Sequence, residues 1–277
     1  MTLRILHAGL TDTGRVRPGN EDAWAVDASQ GLYIVADGMG GHAAGEIAAR
    51  LVVESLPKMV RKRVPGGGNA GDGSVDGDSP AAAGHPPTSA ALARRLRSAV
   101  SRLSRDVYET AMTEPGLRGM GATVVAAMVR GSEAVVVHMG DSRAYLLRGG
   151  KLKLLTKDHS VVQALIDAGQ ITPEEAETHP ARNRITASVG MPGDPTPDSK
   201  RVDLQPGDKL LLCTDGLAGM IPDEEIRGLL DRRESPAAAC QTLIDAANAA
   251  GGHDNITAVV IEFQEPHDVD AGAASSG

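Results

Sequence analysis

"YIVADGMGGHAAGE", residues 33–46, runs from an apolar strand pattern into an acidic residue and then four glycines within eight positions. A loop that cradles phosphate directly ends in Gly-Lys-Ser/Thr, because a lysine meets the phosphate charge and a hydroxyl meets magnesium. No lysine stands here. The strand instead ends at Asp37, whose carboxylate repels a phosphate unless a cation lies between them, so the stretch points to a metal site.

The same context recurs. An apolar strand pattern runs into Asp-Ser in "VHMGDSR" at Asp141 and into Asp-Gly in "LLCTDG" at Asp215, while Asp254 in "GGHDNITAVV" stands just before a strand. "NEDAWAV" puts Glu21 and Asp22 at the start of another. Any one Asp-Gly after a strand also reads as a plain turn. Together, strand ends meeting on one edge would form an oxygen-rich pocket suited to Mg²⁺ or Mn²⁺, and two such ions roughly 4 Å apart can activate water for in-line attack on phosphorus. Zinc fits less well, because His42, His159, His179 and His253 have no paired ligand spacing and read as surface or satisfied histidines.

The chain of 277 residues is long enough for a sizeable core, and one domain is expected. Its formal charge of -8 argues against nonspecific attraction to nucleic acid or to an anionic membrane surface. With aromatic content at 2%, base-stacking platforms are not expected and the core must be built from aliphatic side chains. No apolar run approaches the roughly 18 residues of a spanning helix and no signal-peptide core is evident, so the chain reads as cytoplasmic. Cys213 and Cys240 read as reduced, packed thiols.

Residues 65–87 hold seven Gly and four Pro with no Lys or Arg, and are expected to form a mobile surface loop between helices at Ala43 to about Lys62 and Thr88 to about Thr113. The tail 265–277 is expected to be unordered. Strands are expected in "LYIVAD", "ATVVAAMV", "AVVVHMGD", "AYLLRGGKLKLLT", "KLLLCTD" and "NITAVVIEF", with a hairpin turn at Gly149-Gly150. Within 156–190, "VVQALIDAG" reads as a short helix, and "TPEEAE" opens another with Thr172 as N-cap and Glu175 completing a capping box. Further helices are expected at 223–231 and 236–250.

"TGRVRPGNEDAW", "VADGMGGHAAGE", "GMGATVV", "HMGDSRAYLLRGGKLKLLTKDHS", "LLCTDGL" and "HDNITAVVI", in that order, resemble the bacterial branch of the metal-dependent protein phosphatase 2C (PPM) family of Ser/Thr phosphatases. The resemblance runs from about residue 8 to 263 and implies an α+β, four-layer α-β-β-α sandwich of two antiparallel sheets, a single domain over residues 1–264. It implies two Mn²⁺ or Mg²⁺ ions bridged by Asp37, with the Gly38 carbonyl and Glu21 on one and Asp215 and Asp254 on the other. Asp22 would orient metal-bound water, Asn255 would support the neighbouring shell, and Asp141 with Asp215 would hold a third, weaker metal. Arg17 matches the arginine that clamps the substrate phosphate, a task its planar guanidinium suits; Arg15 beside it reads as a surface charge. Water bridging the metals would attack phosphorus directly, without a phosphoenzyme.

Two positions depart from the family's eukaryotic pattern. Met39 stands where a histidine is proposed to protonate the leaving alcohol, which leaves His42 or a metal-bound water for that role. Gly219 stands where an Asp is found, which weakens the third-metal expectation. Residues 156–190 correspond to the flap, a mobile element beside the active site that affects substrate choice. The 65–87 insertion has no family role and reads as inert or as a partner-binding tether. The implied partners are phosphoprotein substrates and a cognate Ser/Thr kinase, with no nucleic acid and no membrane, and the chain is expected to be a monomer. The rival reading is a silent pseudophosphatase that binds phosphoproteins or a kinase.

Overall fold

Consecutive residues of Leu32–Met39 enter two different apolar layers: Leu32, Ile34 and Ala36 pack in one cluster, Tyr33 and Val35 in another. A strand covered on both faces has no polar side to show, so this stretch reads as one apolar run. In the computed structural model, which describes residues 3–41, 43–61 and 88–266, that arrangement extends over two sheets.

The strands are β1 (Arg4–Asp12), β2 (Asp22–Asp27), β3 (Leu32–Met39), β4 (Gly121–Ala122), β5 (Val124–Arg130), β6 (Glu133–Met139), β7 (Arg143–Arg148), β8 (Lys151–Leu154), β9 (Asp198–Asp203), β10 (Lys209–Cys213) and β11 (Ile256–Gln264). One sheet has the order β1-β11-β10-β7-β8 and the other β2-β3-β5-β6-β9, with β4 against the end of β3. The pairings are antiparallel. Tyr33, Val125, Val136, Leu210, Val259 and Phe263 fill the space between the sheets.

Helices cover the outer faces. Helices α1 (Ala43–Arg61) and α2 (Ser89–Thr113) bury Val52, Leu56, Leu96 and Val100 against the β3–β5–β6 face. After the short α3 (Val161–Asp167), α4 (Pro173–Glu177) and α5 (Asp215–Ala218) come α6 (Asp223–Leu230) and α7 (Pro236–Ala249), whose Ile226, Leu243 and Ile244 cover the β10–β11 face. The result is the expected α+β, four-layer α-β-β-α sandwich. With so few aromatics, Tyr33, Tyr145 and Phe263 are all fully buried.

Local signals act as the sequence suggests. Thr88 caps α2 by accepting from Ala91 N at 3.3 Å. Thr172 and Glu175 form the reciprocal capping box, with bonds of 3.2 and 2.8 Å. Gly149 and Gly150 have φ of 53° and 72° in the two-residue turn joining β7 to β8, a conformation that glycine adopts without strain. Two strands carry no clear sequence pattern: β1 and β9, each at a sheet edge. In β9 only Val202 is buried, so an edge strand of mostly polar residues gives no apolar period to read. The 65–87 insertion lies outside the described residues, as does the tail after Pro266. No described helix is long and apolar enough to cross a membrane.

Candidate metal centre

Antiparallel pairing brings the acidic strand ends to one end of the sandwich. The register sets Asp22, first in β2, opposite Asp37 near the end of β3. In the facing sheet Cys213, last in β10, pairs with both Ala258 and Arg143. This places Asp215 in the first turn of α5 and Asp254 just before β11 at the same edge, with Asp141 in the turn leading into β7.

The glycines after Asp37 allow close approach of backbone. Gly38 donates to Glu21 O at 3.1 Å, and a Cβ on it would strike the Gly45 carbonyl oxygen at the start of α1. A Cβ on Gly45 would in turn overlap Glu21 Oε2. Bare glycines therefore seat α1 against the strand end and leave room for the Glu21 carboxylate.

Hydroxyl side chains form the floor of the site. Asp22 Oδ2 accepts from Thr214 Oγ1 at 2.9 Å and from Thr257 Oγ1 at 2.7 Å. Thr123 holds the Asp37 backbone from both sides: its N–H donates to Asp37 O at 2.8 Å, and its Oγ1 accepts from Asp37 N at 3.0 Å. The same hydroxyl lies 2.6 Å from Ser142 Oγ, joining the Asp37 and Asp141 segments. These four hydroxyl residues were not evident as site residues from the sequence. The only available signal was their adjacency to the acidic motifs, as in Thr214-Asp215 and Asp141-Ser142.

Asn255 ties the loop before β2 to β11. It accepts from Glu21 N at 2.7 Å and donates to Thr13 O and Gly19 O at 2.9 and 2.8 Å. Arg17, on that loop and half-exposed, donates to Asp254 Oδ2 at 2.6 Å, so its guanidinium lies at the rim of the acidic end. Arg15 anchors the loop through its backbone, donating to Gly252 O at 2.7 Å.

Charge is concentrated here. Burial, opposed by the two threonine hydrogen bonds and reinforced by Asp215 and Asp254, pushes Asp22 up to about 7. Burial, then Asp215 and Asp158, pushes Asp141 up to about 7 as well. Asp37 is driven well above the usual carboxylate range by burial and then by Asp22, Asp215, Asp141 and Asp254, and Asp215 is raised by burial and Asp254.

Three carboxylate oxygens, Asp22 Oδ1, Asp141 Oδ1 and Asp215 Oδ1, are buried with no hydrogen-bond partner. A buried carboxylate oxygen without a donor is costly, and a cation removes that cost. The donor set is oxygen throughout, which fits hard divalent ions such as Mg²⁺ or Mn²⁺. Asp37, Asp22, Asp141, Asp215 and Asp254 thus share one electrostatic neighbourhood, with Glu21 and Gly38 adjoining and Arg17 at its rim. His42 lies outside the described residues.

Comparison with known proteins gives the family and the fold. Residues 16–253 match the family model described as protein phosphatase 2C. The chain is 35% identical over 255 residues to the serine/threonine phosphatase stp of Listeria welshimeri, covering 91% of this chain and 93% of that protein. It superposes on the serine/threonine phosphatase of S. agalactiae with a TM-score of 0.81 at 32% identity, covering 94% of this chain and 100% of that one. For the catalytic domain of the serine/threonine protein phosphatase PstP in complex with two manganese ions, the TM-score is 0.74 at 36% identity, over 95% of this chain and 100% of that one.

Proposed function

The chain belongs to the protein phosphatase 2C family and is a metal-dependent serine/threonine protein phosphatase, and from that premise we propose which residues carry the reaction. Asp37, Glu21, the Gly38 carbonyl, Asp215 and Asp254 would hold two divalent ions, Mn²⁺ or Mg²⁺, and Asp141 with Asp215 would hold a third more weakly. The observation that carries this reading is the set of buried, unpartnered oxygens on Asp22, Asp141 and Asp215 around the Asp37 strand end.

When bound, the ions supply a water nucleophile of lowered pKa and offset the phosphoryl charge. The chain contributes position. Asp22 has Oδ2 fixed by two hydroxyls and Oδ1 buried without a partner, which leaves Oδ1 available to orient water. Arg17 sits where it can exchange its Asp254 contact for two parallel bonds to phosphate oxygens. Asn255 holds Glu21 and the Arg17 loop against β11.

The substrates are phosphoserine and phosphothreonine proteins, and the enzyme opposes a Ser/Thr kinase, acting as a cytoplasmic monomer. Residues 1–264 are its single catalytic domain, and 156–190 are a flap that gates protein substrates. The pseudophosphatase reading is not favoured, because the whole acidic set is present.

The test is hydrolysis of p-nitrophenyl phosphate and of a phosphothreonine peptide with Mn²⁺, Mg²⁺ or EDTA, beside Asp215→Ala. Turnover that needs metal and collapses in the variant supports the assignment. Turnover that survives EDTA and the substitution overturns it.

A further inference from the structure

Three residues before Asp141 lies a second cluster of a different chemistry. His138, His159 and Asp198 bring one ligand atom each to within 4.8 Å of one another, the one such group of three among the described residues. They are 21 and 39 residues apart in sequence, so no motif spacing announces them. His138 lies near the end of β6 and pairs directly with Asp198, the first residue of β9. His159 stands at the neck of the flap segment, where its N–H donates to Gly140 O at 3.0 Å.

The two imidazoles stack with centroids 4.8 Å apart and an interplanar angle of 22°. His138 Nε2 lies 2.8 Å from Lys157 O, with Lys157 N–H approaching the same nitrogen at a longer 3.4 Å; the shorter contact favours the ring proton on Nε2 and a lone pair on Nδ1. One ring nitrogen bonded to a backbone carbonyl is the usual support of a metal-bearing histidine. Burial lowers the His138 pKa, which favours the neutral ring. His159 Nε2 lies 3.3 Å from Asp198 Oδ2, close to the ligand-to-ligand edge of a tetrahedron with bonds of about 2 Å. Gly140 N–H donates to His159 Nδ1 at a long 3.3 Å; metal binding at Nε2 would shift the ring proton to Nδ1 and give up that weak contact.

We propose that His138, His159 and Asp198 form a second metal site, for a borderline divalent ion of the Zn²⁺ class, separate from the carboxylate centre and fastening the flap segment to β6 and β9. Two imidazoles and one carboxylate select Zn²⁺, Co²⁺ or Ni²⁺ over Mg²⁺, the reverse of the all-oxygen centre beside it. The exposed Asp198 leaves the fourth position open to water. This site stands on its own geometry and does not depend on the catalytic roles assigned above.

The experiment is a Co²⁺ titration of the full chain in saturating Mg²⁺, followed by visible absorption and back-titration with Zn²⁺. Four-coordinate Co²⁺ with imidazole ligands absorbs strongly, whereas six-coordinate Co²⁺ among oxygens absorbs weakly, so displacement of Mg²⁺ from the carboxylates does not mimic the signal. One equivalent of strongly absorbing Co²⁺, displaced by Zn²⁺ and weakened at least about 10-fold by Asp198→Asn and by His159→Ala, is the expected result. Asp198 is exposed on an edge strand, so its variant decides the matter if His159→Ala fails to fold. Absence of the strong band, or a band of unchanged affinity in Asp198→Asn, overturns the proposal.

Discussion

Asp22 and Asp37 stand directly opposite each other in the β2–β3 ladder. Like charges in such a pair destabilise a sheet, and here both sit in a buried acidic field. Under the role proposed above, a bound cation would relieve this repulsion. Asp22→Asn should therefore stabilise the metal-free protein at pH 8 by roughly 2 kcal/mol while lowering turnover in saturating metal by at least about 10-fold. Thermal melts in EDTA, set beside steady-state rates in Mn²⁺, check both halves. A variant less stable than the parent in EDTA would mean that Asp22 is a net support of the sheet.

The same field fixes the sign of a pH dependence. Asp22 and Asp141 are pushed up to about 7 in the folded state, against about 4 in an unfolded chain. Between those values the folded metal-free protein holds protons that the unfolded chain has released, so its stability falls as pH rises through the window. Stability in EDTA should drop from pH 5 to pH 8 by about 2–3 kcal/mol for one such group, and by less than twice that for the two together because they share one acidic field. Saturating Mg²⁺ should flatten that slope, because bound cation replaces the protons. Denaturant melts at four pH values with and without Mg²⁺ decide it; a stability that rises with pH in EDTA contradicts the raised pKa values.

Thr257 is a relay as well as a core residue. Its hydroxyl lies 2.7 Å from Thr11 Oγ1 and donates to Asp22 Oδ2 at 2.7 Å. Thr257→Val keeps the shape and removes the donor, leaving Asp22 with Thr214 alone. The expected cost is about 1–3 kcal/mol of stability in saturating Mg²⁺, together with a fall in kcat at nearly constant KM, and Thr257→Ser should restore most of both. Equal loss in the valine and serine variants would assign the effect to packing of the methyl group.

Gly45 packs against both the site and the strand end. A methyl group there overlaps the Glu21 carboxylate, which can swing aside, and comes within 2.9 Å of the Gly38 carbonyl carbon, which must give slightly, whereas one on Gly38 overlaps the Gly45 carbonyl oxygen outright. Gly45→Ala should cost about 1–2 kcal/mol in EDTA and weaken Mn²⁺ binding by at least about 10-fold. Calorimetric titration with Mn²⁺ beside a melt gives both numbers. Unchanged affinity would place Glu21 outside the metal shell.

Much of this architecture is legible in the sequence because buried strands and capped helices leave strong local patterns: the run 32–37, the Thr172–Glu175 box and the Gly149-Gly150 turn all form as their chemistry predicts. The edge strands β1 and β9 do not: β1 is half-buried along most of its length with exposed Arg4 and His7 on opposite faces, and β9 buries only Val202, so no apolar period is imposed. In the site, the carboxylates stand out because Asp-Gly at a strand end is a local signal. Thr123, Thr214 and Thr257 do not, because a threonine in or beside an apolar strand looks like an ordinary β-former until a bond such as Thr257 to Asp22, 235 residues away in sequence, is seen. The His138–Asp198 pairing is hidden for the same reason: it exists only through strand register.

The flap segment has a closed neck and a free tip, and this dictates how to test it. At the neck Ser160 bridges Ile185, Val161 N donates to Arg184 O at 2.8 Å and Thr186 N to His159 O at 2.8 Å. Beyond it, no residue of α3 is buried, and in α4 only Ala176 is. Replacing residues 169–180 with a short Gly/Ser linker therefore removes little core and should cost less than about 1 kcal/mol. If the tip positions protein substrates, kcat/KM for a phosphoprotein should fall by at least about 10-fold while that for p-nitrophenyl phosphate stays within about 2-fold, because the small ester has no protein surface for the tip to hold. Parallel losses on both substrates would mean that the tip acts on the metal centre, through the Gly140–His159 contacts at its neck. Unchanged rates on both would remove the flap from substrate choice altogether.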